Sequence, residues 1–236
     1  MERPVPSDKN TRTAFLFGAS RGLGLGLARE YLSRGWRVIA TARDNATQLE
    51  SLEKAAPGKL RIERVDISDT EGVAELAAKL KGEALDLLFL IAGVSGSVPK
   101  PLHDISPDEA ARVYLTNAYY PITAAEALSG LLNAGGVVAF MSSMLGSIEM
   151  NVGRADWETY RTSKAALNMG ARSFHNRHTR HPVLSIAPGW VRTDMGGPSA
   201  TFDVETSCRN VANAIEKHAG KPGHRYVNYD GSELPW

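Results

Sequence analysis

The chain has 236 residues, 43% of them hydrophobic and 22% charged, enough to bury one substantial core without requiring a second domain. Its 27 basic and 26 acidic side chains nearly cancel; no large field draws it to nucleic acid or to an anionic membrane, so a small, locally recognised molecule is the expected partner. The single cysteine, Cys208, cannot form an internal disulfide, no apolar run approaches the roughly 20 residues that cross a bilayer, and the polar start lacks the apolar segment of a signal peptide, so a cytoplasmic protein is expected.

Residues 1–12 read as a flexible tail and 13–236 as one domain. Thr13 to Phe17 is a short apolar strand closed by Gly18, and from Leu23 the pattern turns helical to Gly35. A strand at Trp36 to Thr41, a helix at Gln48 to Ala56, a strand at Leu60 to Val65 and a helix at Val73 to Leu80 follow. Leu85 to Ile91 is continuously apolar, as expected of a strand covered on both faces. After a loop rich in Gly, Ser and Pro, Pro107 to Leu132 reads as one long helix and Gly136 to Met141 as a strand. A helix at Trp157 to His178, a strand at Val183 to Ile186, a helix at Val204 to His218 and a strand at Tyr226 to Asn228 complete the chain. Seven strands alternating with about six helices predict an α/β fold, a single Rossmann-type doubly wound parallel sheet.

Between the first strand and helix lies Gly18-Ala19-Ser20-Arg21-Gly22-Leu23-Gly24. Its glycines permit close backbone approach and its helix start offers free amides, which together suit a pyrophosphate. Such a turn also serves as a plain corner, but the strand-turn-helix context favours a nucleotide. In an NAD site an acidic residue stands at the end of the second strand. Here that region reads Thr41-Ala42-Arg43-Asp44. With Ala42 in the acid's place, Arg43, Ser20 and Arg21 are expected to surround a ribose 2′-phosphate, because guanidinium pairs with phosphate in bidentate fashion. Two alternatives stay open: Arg43 as a solvated surface side chain, and Asp44 as acceptor of the NAD ribose hydroxyls. Asp66 and Ile67, at the end of the third strand, are placed to meet adenine.

Tyr160 and Lys164 stand one helical turn apart. Before them come the glycine-rich turn, then Asn117 in the long helix, then Ser142-Ser143 at a strand end. In this order the residues resemble the short-chain dehydrogenase/reductase family. The resemblance covers essentially the whole chain and implies an Asn-Ser-Tyr-Lys tetrad at Asn117, Ser143, Tyr160 and Lys164. It also implies that Lys164 bonds the nicotinamide ribose, that Ser143 holds the substrate oxygen and that Asn117 anchors a water linking Lys164 to solvent. Ser142 is the rival to Ser143, and the family's Ser-Ser-x-x-Gly pattern favours the second serine.

Pro188-Gly189-Trp190-Val191-Arg192-Thr193 resembles the segment whose backbone and threonine meet the nicotinamide carboxamide and diphosphate. Pro188, Gly189, Val191 and Thr193 are therefore expected at the cofactor, as are Ala92 and Gly93 after the fourth strand. The implied function is an NADP(H)-dependent reductase of a ketone or aldehyde, with a small carbonyl or alcohol as partner. A homodimer or homotetramer through the long helix and the Trp157 to His178 helix is implied as well. YRTSKAALNM, PGWVRTDMGG and YVNYDGSELPW are similar to the branch containing C-factor and sniffer-type carbonyl reductases, so intercellular signalling or nucleotide sensing is the alternative function.

Two positions depart from the family pattern. Its threonine before the first glycine is Phe17, and its Asn-Asn-Ala-Gly is Leu90-Ile91-Ala92-Gly93. Polar groups lost from facing positions together cost little, so a repacked strand end with retained binding is expected. His175, His178 and His181 lie among arginines at a helix end and are read as complements to its dipole rather than as metal ligands.

Overall fold

The computed structural model describes residues 11–97, 100–153 and 156–236; of the tail read at 1–12, residues 1–10 lie outside them. The strands are β1 (Thr13–Phe17), β2 (Arg37–Ala42), β3 (Leu60–Arg64), β4 (Leu85–Leu90), β5 (Leu132–Met141), β6 (Pro182–Ala187) and β7 (Gly223–Asn228). They form one sheet in the order β3-β2-β1-β4-β5-β6-β7, parallel throughout. The helices are α1 (Gly22–Ser33), α2 (Thr47–Ala55), α3 (Thr70–Lys79), α4 (Pro107–Tyr114), α5 (Tyr120–Leu128), α6 (Glu158–Arg177) and α7 (Val204–His218).

Both sheet faces are covered, which explains the uninterrupted apolar strands. On one face Leu27, Tyr31, Leu49, Val211 and Ile215 of α1, α2 and α7 pack on Leu16, Val38 and Phe89. On the other, Leu76, Leu128, Leu167 and Phe174 of α3, α5 and α6 pack on Phe15, Leu88 and Phe140. Strand order reverses between β1 and β4, so the crevice beyond their carboxyl ends is the place where such a sheet receives a ligand.

The strand end carrying the unusual apolar residues is repacked as expected. Phe17, Leu90 and Ile91 are buried, and the amides of Ile91 and Ala92 both donate to the Phe17 carbonyl, at 2.9 and 3.2 Å.

The helix expected over Pro107 to Leu132 is interrupted. After α4 comes a wide π turn at Leu115–Tyr119, then α5, then a tight turn at Ser129–Leu131. Pro121 explains the first break: it has no amide to give the Asn117 carbonyl four residues back, so the α-helical bond there cannot form. β5 begins at Leu132 rather than Gly136, tied to β4 by a hydrogen bond of 2.8 Å from Asn133 Nδ2 to Asp86 Oδ1. Among the histidines, His178 Nε2 lies 2.7 Å from Glu126 Oε2 and His181 Nδ1 lies 3.0 Å from the Gly136 carbonyl.

Candidate active site

The glycine-rich turn leaves β1 and enters α1 at the crevice. Helices α3, α4 and α7 begin with Asp69, Ser106 and Asp203, whose side chains accept from their own first turns. Helix α1 begins at Arg21 with no side-chain cap and no acid in its first turn, so its amides remain available to an anion. Close approach is enforced at Gly24, where a Cβ would lie 2.1 Å from the Gly18 carbonyl oxygen. Gly18 N in turn donates to Thr41 Oγ1 at 2.9 Å. Thr41 was not singled out from the sequence; its place at the end of β2, facing a turn with no threonine of its own, is the available signal.

The two arginines assigned to a phosphate have protein partners in the structure. Arg43 Nη1 lies 3.3 Å from Asp66 Oδ2, and Arg21 Nη1 lies 2.6 Å from Asp194 Oδ2. Arg43 is 70% and Arg21 74% exposed, so both guanidiniums can exchange those weak surface pairs for a better acceptor. Ser20 is half-buried in the same turn. Ala42 is buried and Asp44 is exposed; the Asp44 main-chain carbonyl accepts from Arg64, another arginine the sequence reading passed over. Ile67 is buried beside Asp66.

Across the crevice, Ser142 and Ser143 follow β5. Ser142 is buried and its hydroxyl donates to Asn168 Oδ1 at 2.7 Å, whereas Ser143 is half-buried and close enough to Tyr160 to influence its hydroxyl. Ser143 Oγ also accepts from Leu145 N at 3.2 Å, which caps the tight turn Met144–Gly146.

Tyr160 and Lys164 occupy successive turns of α6 on its inner face, both buried. Burial pushes the Tyr160 hydroxyl up to about 12, against the opposing bond from Ser143, and pushes Lys164 down to about 7. Lys164 Nζ donates to the Met141 carbonyl at 2.8 Å and stands 5.6 Å from the centre of the Tyr160 ring. Desolvation is the largest influence on both groups. Gly93 faces them; a Cβ there would come within 3.4 Å of Lys164 Nζ and 3.2 Å of Asn117 Oδ1.

Asn117 is fully buried in the π turn. Its amide donates to the Val94 carbonyl at 2.8 Å and to Ser163 Oγ at 3.0 Å, while Oδ1 accepts from Val94 N at 2.8 Å. The side chain thus holds the main chain after Gly93, a role the sequence reading missed. Trp157 precedes α6 in a left-handed conformation, φ 60°, with its ring edge-on to Tyr160 at 5.8 Å. Arg161 secures that turn by bonds to Asp156, main chain at 2.7 Å and carboxylate at 2.9 Å. Pro188 and Val191 are buried, and Gly189 and Thr193 half-buried, in the segment after β6; Thr193 faces Gly22 across the turn, 3.6 Å from where a Cβ would stand.

The uncapped α1, the Gly24 cradle and the buried Tyr160-Lys164 pair around one crevice fit a dinucleotide. The family model for short chain dehydrogenases matches residues 12–203. A short-chain dehydrogenase/reductase of Burkholderia multivorans, solved with NADP bound, is 40% identical over 96% of this chain and all of that one, with a TM-score of 0.93. The carbonyl reductase Sniffer of D. melanogaster is 32% identical over the same share of both chains, with a TM-score of 0.86. The C-signal of Myxococcus xanthus is 36% identical over 156 residues, 64% of this chain and 93% of its own length.

Proposed function

The chain belongs to the short-chain dehydrogenase family, and on that premise we propose that it is an NADPH-dependent reductase of a ketone or aldehyde, with Tyr160 as proton donor. The observation that carries this reading is the burial of Tyr160 and Lys164 on successive turns of α6, with Lys164 Nζ 5.6 Å from the Tyr160 ring centre and the amine held by the Met141 carbonyl at the end of β5, just before Ser142-Ser143.

The dinucleotide would be held by Gly18, Ser20, Arg21, Gly22, Leu23 and Gly24 at its phosphates. Arg43, Asp66 and Ile67 would hold its adenosine side, and Ala92, Gly93, Pro188, Gly189, Val191 and Thr193 its nicotinamide side. When bound, reduced nicotinamide supplies a hydride to the carbonyl carbon. The carbonyl electron pair then moves to oxygen, where Ser143 donates a hydrogen bond to the developing charge and Tyr160 releases its proton. A phenol held near pKa 12 stays protonated until that charge appears. Lys164, beside Tyr160, would bond the nicotinamide ribose and offset the phenolate that remains, and Asn117 holds the loop that carries Gly93 and Val94.

The deciding experiment is turnover of a panel of ketones, aldehydes and diketones with NADPH, followed at the nicotinamide absorbance band. Absence of turnover across the panel, with NADPH demonstrably bound, overturns the reading. The likeness to C-signal favours a second role in intercellular signalling, and loss of the biological effect in Tyr160→Phe would tie that role to catalysis. Exposed Tyr114, Tyr119 and Met169, on α4, the π turn and α6 respectively, support pairing of two or four copies through this face. Light scattering that finds a monomer at micromolar concentration would end that proposal.

A further inference from the structure

Strand β7 and the segment after it take no part in the proton transfer, yet β7 reaches Ser143 through Tyr226 and the segment returns to the stretch that follows Ser143. Gly231 N donates to the Asn228 carbonyl at 2.9 Å, Asn228 N to the Ser232 carbonyl at 2.8 Å, and Leu234 N to the Tyr226 carbonyl at 2.8 Å. This hairpin lays Trp236 on Tyr226, ring centres 5.4 Å apart and planes 27° from parallel. The Arg172 guanidinium covers the Trp236 ring at 4.9 Å, and the His224 ring lies against it at 4.8 Å. Arg172 is itself fixed, since its Nε donates to His224 Nδ1 at 3.0 Å.

Two sets of bonds run from this aromatic pair toward the site. The buried Tyr226 hydroxyl donates to the Ser143 carbonyl oxygen. The Trp236 main-chain oxygen accepts from Glu149 N at 3.0 Å and from Ser147 Oγ at 3.3 Å, and Ser147 Oγ accepts from Met150 N at 3.1 Å. The stretch so held, Ser147 to Met150, carries the exposed apolar side chains Ile148 and Met150 and begins four residues after Ser143.

Building on the carbonyl-reductase reading, we propose that Tyr226 and Trp236 are positioning residues, Tyr226 setting the main chain of Ser143 and Trp236 fixing the 147–150 stretch against which the substrate binds. A hydroxyl that must meet a transition-state oxygen gains from being fixed before the reaction begins, and the main-chain bond supplies that fixation at Ser143. Aromatic stacking and the guanidinium above it give the outer part of the device its stiffness without a covalent link. Neither residue touches the reacting atoms; both act through the chain that carries Ser143.

The test uses Trp236→Ala, Trp236→Phe and Tyr226→Phe in the full-length protein. Trp236→Ala is expected to speed amide exchange at Glu149 and Met150 by at least about tenfold while β1 and α1 keep their protection. It should raise the carbonyl KM at least about fivefold at unchanged NADPH affinity, with Trp236→Phe recovering most of both effects. Tyr226→Phe keeps the ring and removes only the donor, so kcat should fall by at least about tenfold at unchanged NADPH affinity. Wild-type exchange and KM in Trp236→Ala, or a loss of stability and cofactor affinity that Trp236→Phe does not repair, overturns the proposal. If Tyr226→Phe does not fold, the two Trp236 variants decide. If no carbonyl is reduced by the wild type, the exchange measurement still decides whether Trp236 holds the stretch, and the failure belongs to the functional reading instead.

Discussion

Asn117 and Val94 are joined by two hydrogen bonds of 2.8 Å, the Val94 N–H donating to Oδ1 and the Asn117 amide donating to the Val94 carbonyl. The side chain takes the place of a neighbouring strand for one residue, just where β4 has ended and the chain must pass close to Lys164.

Asn117→Ala leaves both main-chain groups of the half-buried Val94 without their partner, at about 1 kcal/mol each, the low end because water reaches them. The melting midpoint should fall by roughly 4–8 °C in a domain of this size. NADPH affinity should weaken as well, because the loop beyond Gly93 loses its tether. Calorimetry and cofactor titration measure the two, and an unchanged midpoint would show that the tether contributes nothing.

Tyr160→Phe removes the proton donor and leaves the ring that packs against Trp157. NADPH binding should persist while turnover drops at least about a hundredfold, the usual scale of a general-acid contribution. Turnover close to wild type would move the donor elsewhere.

Lys164 carries a pH signature in stability. Its pKa is depressed in the folded protein to about 7 from an ordinary 10.5. Between those values the unfolded chain binds more protons than the folded one, so folding gains stability as pH rises through that window and is penalised most fully below pH 7. Lys164→Met has no such group. The difference in unfolding free energy, wild type minus variant, should therefore increase from pH 7 toward 10.5 and level off on either side. Denaturant melts across that range measure it, and a flat difference would mean that Lys164 is not desolvated in the folded state.

Cofactor choice rests on Arg43 and Ala42. NADPH should be preferred to NADH by at least about tenfold, since two charge-assisted contacts at about 1.5–3 kcal/mol each would permit more, but exposure and salt screening reduce them. Arg43→Ala should weaken NADPH selectively, and so should Ala42→Asp, which places a carboxylate where the phosphate would lie. Equal losses with both cofactors would make Arg43 a structural residue, with its bond to Asp66 at 3.3 Å as its main role.

The sequence by itself determined the sheet, its winding and the chain order of Asn117, Ser143, Tyr160 and Lys164, because apolar periodicity and one-turn spacing are local quantities that each segment carries within itself. It also identified the turn at Gly18 to Gly24, since a strand, closely spaced glycines and a helix leave the chain few ways to run. Only the tertiary structure decided which of two adjacent serines faces Tyr160, because a strand end turns one hydroxyl to Asn168 and the next to the crevice. The partners of Arg21 and Arg43, the substitution of Thr41 for a missing threonine, the hold of Asn117 on Val94 and the return of Trp236 to the stretch after Ser143 belong to the same class. Each joins residues far apart in sequence, and the register of parallel strands and the reach of individual side chains, which no local pattern records, fix where such residues meet.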